Sequence, residues 1–213
     1  MSRPGRLVLI TGTGTEIGKT WLAARLAQQL RSRGATVAAR KPAQSFDPGA
    51  GPTDAELLAA ASGEEPAAVC PPHRSYERAM APFMAADVLG RPPVLLDDLV
   101  DEATWPAPPV DVGLVESAGG VRSPITSDGG DTVDLAARLA PDVVVLVADA
   151  GLGTLNAVRL CLGALDGLPV TVFLNRFAAD DEVHDRNRAW LAGHAGAPVV
   201  TDVAELAWAV LPA

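Results

Sequence analysis

Four short apolar runs mark the chain, at Leu7–Ile10, Val112–Val115, Val143–Val147 and Val170–Leu174. Each is continuous rather than alternating, the pattern of strands covered on both faces, as in a parallel sheet between helices. Two weaker runs, Thr36–Ala39 and Pro198–Val200, bring the expected sheet to six or seven strands. Between them the apolar positions change period. Leu22, Leu26 and Leu30 recur every fourth residue, Leu135 and Leu139 do the same, and Leu155, Val158, Leu162 and Leu165 keep a helical interval. Gly34 is placed to stop the first helix, and Leu168-Pro169 breaks the third. Strand and helix in alternation predict a doubly wound, mostly parallel α/β sheet with right-handed crossovers and helices on both faces.

Residues 42–109 break this rhythm with Pro and Gly clusters, a helical pattern at Thr53–Ala61 and another at Ala79–Leu89. At about 150 residues per domain, 213 residues make one domain, 1–213, with 42–109 as an insertion. Ligands of open α/β sheets bind beyond the carboxyl ends of the strands, where such an insertion can cover a substrate.

Composition narrows the function classes. Lys plus Arg number 17 against 26 Asp plus Glu, a net charge of -9, the wrong sign for gripping nucleic acid through its phosphates. No run reaches the roughly eighteen apolar residues of a membrane span, and Met1–Arg6 leads directly into the first strand. The expectation is a soluble, cytoplasmic protein without a nucleic-acid or membrane partner. Cys70 and Cys161 are far apart and form no CxxC pair, which fits a reducing compartment and no structural zinc. His73, His184 and His194 have no metal-ligand spacing and read as surface residues.

Chemistry concentrates between the first strand and the first helix, in Thr11-Gly12-Thr13-Gly14-Thr15-Glu16-Ile17-Gly18-Lys19-Thr20. A glycine-rich turn there points successive N–H groups inward, where they and the helix dipole cradle phosphate oxygens. Lys19 would bridge the outer phosphates and the Thr20 hydroxyl would hold magnesium. Five residues separate Gly12 from Gly18 where the common P-loop spacing has four, so this is a longer variant of that loop. Partition-type ATPases carry a second lysine five residues before the loop lysine, and here that position is Gly14. Asn175-Arg176-Phe177-Ala178 lacks the Lys and Asp of the guanine-reading Asn-Lys-x-Asp.

Magnesium prefers hard oxygen ligands, and Glu116 directly follows the strand that ends at Val115. Asp54 could reach the same ion or could cap the helix at Thr53–Ala61, and Asp149 could bind metal or turn the chain. Lys41, in Lys41-Pro42-Ala43-Gln44-Ser45, follows the second strand beside the phosphate loop, placed to stabilise a transferring phosphoryl group or to be an ordinary surface lysine. Ser117-Ala118-Gly119-Gly120 offers backbone amides close to a ligand, or a flexible turn.

In order and spacing, Gly12–Thr20, Lys41-Pro42 with Ser45, Asp54, Val115-Glu116 with Ala118-Gly119-Gly120, and Gly151-Leu152-Gly153-Thr154-Leu155-Asn156 resemble dethiobiotin synthetase. That family shares the five-residue gap. The resemblance implies an ATP-dependent cyclo-ligase that closes the ureido ring of dethiobiotin, in biotin biosynthesis, from diaminopelargonic acid, carbon dioxide and ATP with Mg2+. It implies nucleotide contacts from Gly14, Thr15, Glu16, Ile17, Gly18, Lys19, Thr20 and Asn175, with Lys41, Lys19 and Thr15 steadying the charge that develops. Substrate would meet Lys41, Ser45, Gly119, Gly153, Thr154, Leu155 and Asn156, the last four across a homodimer interface, and the metal would meet Thr20, Asp54 and Glu116. Two departures stand out: Ser117 where the family has Gly, and Thr201-Asp202-Val203 where it has Gly-x-x-Pro near the nucleotide base. The competing classes are a nucleotide-switched regulatory or partitioning ATPase and another ATP-dependent ligase of related fold.

Overall fold

Successive residues of β1 (Arg6–Gly12) belong to two different cores, which explains its unbroken apolar run. Val8 and Ile10 join one core while Leu7 and Leu9 join the other. In a pleated strand neighbouring side chains leave by opposite faces, so a strand with both faces covered needs apolar residues at every position. β6 (Val143–Asp149) divides the same way, Val143, Val145 and Val147 to one side and Val144, Leu146 and Ala148 to the other.

The computed structural model describes residues 3–211; Met1, Ser2, Pro212 and Ala213, including the first residues of the expected strand-leading start and both ends of the expected 1–213 span, lie outside the described residues. In chain order β1 is followed by α1 (Lys19–Ser32), β2 (Val37–Arg40), β3 (Gln44–Ser45), α2 (Asp54–Ser62), α3 (Pro66–Val69), β4 (Ser75–Tyr76), α4 (Pro82–Val88) and α5 (Leu96–Glu102). Then come β5 (Val112–Glu116), α6 (Thr132–Leu139), β6, α7 (Thr154–Ala164), β7 (Val170–Asn175), α8 (Glu182–His194), β8 (Val199–Val200) and α9 (Val203–Val210). Six strands form one parallel sheet in the order β2-β5-β1-β6-β7-β8, and β3 pairs with β4 in a separate two-stranded ribbon. The chain leaves β1 toward β2 on one side and later reaches β6 on the other, so the loop after β1 opens at the switch point of a doubly wound sheet.

Leu22, Leu26 and Leu30 of α1 are buried beside Val8 and Ile10, together with Leu206, Ala207 and Val210 of α9. The opposite face is covered by Leu135 of α6, Val158 of α7 and Leu191 of α8. Each buried leucine contributes about 1.5–3 kcal/mol of apolar burial. α1 ends where Gly34 takes a left-handed φ of 88°, open to glycine at little cost.

Residues 42–109 do more than cover one end of the sheet. Ala55, Leu58 and Ala59 of α2 and Val69 of α3 extend the core around α1. Glu64 Oε2 accepts from Ala39 N at 2.7 Å and Val69 O from Lys41 N at 2.8 Å, so this segment also closes the outer margin of β2. Arg40 is held there by Glu64 at 2.8 Å and lies over the Trp105 ring. The remainder of the segment builds a small core of its own from Tyr76, Ala85, Val94 and Leu99.

Leu26→Ala should destabilise the fold by about 3 kcal/mol in urea melts, because a fully buried side chain is lost between α1 and β1. Val88→Ala, at a position 60% exposed, should change stability by less than about 0.5 kcal/mol in the same assay.

Candidate active site

The turn after β1 is fastened at both ends. Thr13 N donates to Val147 O at 2.9 Å, and Gly12 O accepts from Val121 N at 3.1 Å. Glu16 has φ 59° and Gly18 φ 90°, two left-handed residues in a three-residue span that bend the chain into a cradle. At Gly18 a Cβ would lie 2.1 Å from Asn175 Nδ2, so space and backbone conformation both demand glycine. Gly18 also caps α1 without any side-chain hydrogen bond, and the N–H groups of residues 14–18 donate to no protein acceptor among the described residues. Lys19 is buried and folds back so that Nζ donates to Gly14 O at 2.8 Å. A row of unspent amides at a helix N-terminus, closed by a lysine, is built for an anion.

Behind the turn, four side chains from four segments converge. Lys41, the first residue after β2, directs Nζ to Glu116 Oε1 at 2.6 Å and to Asp54 Oδ2 at 2.8 Å. Thr20 Oγ1 lies 2.9 Å from Asp54 Oδ1 and 2.8 Å from Glu116 Oε1. One hydroxyl proton can serve only one of those carboxylates at a time. Glu116, 1% exposed, keeps its other oxygen, Oε2, buried without a partner. This donor set of one hydroxyl and two carboxylates is all hard oxygen, and Mg2+ usually takes only one or two protein carboxylates, leaving the remaining positions to water and phosphate. The residues present therefore fit a magnesium ion, and the orphaned Glu116 oxygen marks an unmet need for positive charge.

Burial is the largest single influence on every charge here; it prevails at Lys19 and Glu116, and the neighbours outweigh it at Lys41 and Asp54. Burial alone would lower the Lys41 pKa, but Glu116 and Asp54 outweigh it and hold Lys41 as an ammonium. Lys19 faces burial and the nearby Lys41 charge, and its pKa falls to about 8. Burial pushes the Glu116 carboxyl up, opposed by Lys41. For Asp54, burial is overcome by Lys41 and Thr20, which hold its pKa below the usual value.

A cleft of about 1040 Å³ is lined by Thr15, Glu16, Gly18, Lys19, Thr20 and Trp21, and by Lys41, Gln44, Ser45, Asp54, Glu116 and Gly119 among others. The phosphate-loop and Lys41 groups thus share one cavity. Asp54 does not cap α2; Thr53 does, reciprocally with Glu56. Ser117 needs no glycine freedom, since Gly119 carries the left-handed φ of 70°, and Ser117 Oγ donates to Thr11 Oγ1 at 3.1 Å. Gly120 packs against the loop: a Cβ there would sit in ordinary contact with the Gly14 Cα, at 3.4 Å.

Other expected site residues do not line the cleft. Ile17 packs against the core around α1, and Gly14 touches the site through its carbonyl. Asn175 Nδ2 donates to Ile17 O at 2.8 Å from behind the loop. Gly153, Thr154, Leu155 and Asn156 begin α7 and do not line the cleft. Asp149 pairs with Arg176 at 3.0 Å and accepts from Gly151 N, the turn reading rather than the metal one. Asp202 caps α9, so the Thr201-Asp202-Val203 departure is a helix start. His184 is inset rather than on the surface, its Nδ1 accepting from Ala178 N. Gln44, Trp21 and Arg176 were not singled out in the sequence. Gln44 accepts from Ala55 N at 2.9 Å and so ties α2 to the cleft, a role that no local pattern announces.

A family model described as an AAA domain matches residues 6–207. The ATP-dependent dethiobiotin synthetase of Anaeromyxobacter dehalogenans strain 2CP-C is 40% identical over 182 residues, covering 83% of this chain and 79% of the relative. That of Streptomyces coelicolor is 38% identical over 215 residues, covering 97% and 87%. The chain belongs to the ATP-dependent dethiobiotin synthetase family. Among solved structures, the signal recognition particle receptor FtsY of Elizabethkingia anophelis superposes with a TM-score of 0.55 at 15% identity, over 93% of this chain and 58% of that one. The signal recognition particle 54 kDa protein from Aeropyrum pernix K1 gives 0.52 at 20%, over 96% and 43%. At these identities the likeness is one of fold, the doubly wound sheet expected from the sequence.

Gly18→Ala should abolish nucleotide binding in calorimetric titration with ATP and magnesium, since the added methyl must displace Asn175 and strain the loop. Retention of wild-type affinity would show that this turn does not hold the nucleotide.

Proposed function

We propose that the cleft holds the triphosphate of ATP and a carbamate of diaminopelargonic acid end to end. The observation that carries this reading is the Lys41 ammonium, shared by Asp54 and Glu116 within the cavity that the amide-lined turn also borders. The activity is that of the family, an ATP-dependent ligase forming a carbon–nitrogen bond in biotin biosynthesis, and the nucleotide, diamine and carbon dioxide are its small-molecule substrates.

Phosphoryl transfer depends on positioning and charge stabilisation, so no protein nucleophile is required. In the reaction one substrate amine adds to carbon dioxide, forming an N–C bond and releasing a proton. Lys41, Ser45 and the amides around Gly119 hold the resulting carbamate. Its oxygen attacks the γ-phosphorus, the bond to ADP breaks, and Lys19, Lys41 and Thr15 steady the charge developing on the equatorial oxygens. The second amine then attacks the carbonyl carbon, the C–O bond to phosphate breaks, phosphate leaves, the nitrogen gives up a proton and the ring closes. Thr20, Asp54 and Glu116 would hold Mg2+, which supplies charge neutralisation on the phosphates when bound.

The Gly14–Thr20 loop carries the nucleotide, with Glu16 beside it and base contact through Asn175 Oδ1. Residues 42–109 cover the substrate within a single domain. At the start of α7, Gly153 to Asn156 meet the substrate carboxylate across a homodimer interface. Support for that interface comes from Leu152 and Leu160, 99% and 68% exposed beside that helix start, and from the buried, unpartnered Thr154 hydroxyl. Among the described residues no helix is long and apolar enough to cross a membrane, and a cytoplasmic location belongs to the same reading.

Phosphate release should require ATP, magnesium, bicarbonate and the diamine together; release independent of the diamine would overturn the proposal in favour of a regulatory ATPase. Lys19→Ala and Lys41→Ala should each reduce turnover by about 100-fold or more, because each removes a cation from developing negative charge. Near-wild-type turnover of Lys41→Ala would remove Lys41 from the reaction.

A further inference from the structure

Arg176 and Asp149 touch none of the reacting groups named above, yet they join the phosphate loop to the sheet. Arg176 is the first residue beyond β7, and its backbone φ is 57°, a left-handed conformation rarely adopted by a side chain of this size. Its Nη2 donates to Glu16 O at 2.6 Å and its Nη1 pairs with Asp149 Oδ2 at 3.0 Å. Asp149 is fixed in turn, its Oδ1 accepting from Gly151 N at 2.9 Å. One residue earlier, Asn175 Nδ2 donates to Ile17 O at 2.8 Å. Two consecutive residues at the end of β7 therefore hold two consecutive carbonyls of the loop.

A trans peptide sets its N–H opposite its C=O. Drawing the Glu16 carbonyl toward Arg176 turns the N–H of Ile17 away from β7, and drawing the Ile17 carbonyl toward Asn175 does the same to the N–H of Gly18. Neither N–H has a protein acceptor among the described residues, and Glu16 itself has φ 59°. The left-handed bend at Glu16 disfavours a residue that is not glycine, so something outside the loop must hold it. Arg176 supplies that hold with a planar fork that reaches a carbonyl and a carboxylate at once, a geometry that a lysine does not reproduce.

We infer that Arg176, aimed by Asp149, is a positioning residue that presets the phosphate loop for the nucleotide. The inference rests on the reading of that loop as a triphosphate cradle, and it assigns nucleotide affinity, not substrate affinity, to this pair.

Calorimetric titration of the full-length chain with ADP and magnesium, paired with steady-state kinetics, tests it. Arg176→Ala should weaken nucleotide binding about tenfold, the loss of one charge-assisted hydrogen bond, and raise KM for ATP alike. The KM for the diamine and kcat at saturating ATP should stay within about threefold of wild type, a change below one lost hydrogen bond. Arg176→Lys should recover part of the affinity, and Asp149→Asn should weaken binding less than Arg176→Ala does. Unchanged nucleotide affinity in Arg176→Ala, with the wild type binding normally, overturns the inference alone. An equal loss for both substrates with a lowered melting temperature also overturns it, in favour of a general folding role. A wild-type chain that binds no nucleotide overturns the cradle reading and this inference with it.

Discussion

A lysine that is 3% exposed cannot stay charged without partners, and the site is organised around meeting that demand. Lys41 meets Glu116 and Asp54 within 2.8 Å, and the hydroxyl of Thr20 bridges the same two carboxylates. These groups come from the end of β2, the end of β5, the start of α2 and the start of α1. Removing Lys41 would leave the Glu116 carboxylate buried without its cation, at a cost of about 3–5 kcal/mol for a broken buried pair. The cluster therefore locks the insertion, the phosphate loop and the sheet in a single arrangement.

The parallel sheet makes that convergence possible. Every strand of the six-stranded sheet points the same way, so β1, β2, β5, β6 and β7 all deliver their last residues to one edge. Two apolar cores, one on each face, fix the strand ends to within the reach of a side chain. Binding groups on rigid strand ends lose little entropy on ordering, which is how a protein of net charge -9 gathers a polyanion by local geometry against its overall field.

Much of this was legible in the residues themselves. The unbroken valine and leucine runs named the buried strands because each face of the sheet is covered, and Leu22, Leu26 and Leu30 named α1 because one stripe of it is. The phosphate loop was legible because Gly18 needs a left-handed backbone and Gly12 sits too close to Ile17 for a side chain, and both needs leave a compositional trace. α8 was not, since only Asn187 and Leu191 of its thirteen residues are buried and its polar surface shows no stripe. Its one local mark is Asp181, which caps it. Arg176 was equally silent, because its partners, Glu16 and Asp149, lie far away in sequence and meet it only once β6 and β7 are paired. Asp54 shows the limit of position alone: a carboxylate at a helix start reads as a cap until the neighbouring Thr53 is seen to fill that role.

The margin of the sheet along β2 has its own consequence. Glu64 occupies the Ala39 N–H and Val69 the one at Lys41, so two of the donors that an outermost strand normally presents are already spent. Two occupied donors at a four-residue strand disfavour side-by-side pairing of copies along that border. Crowding then finds a poorer template there from which to grow a fibre.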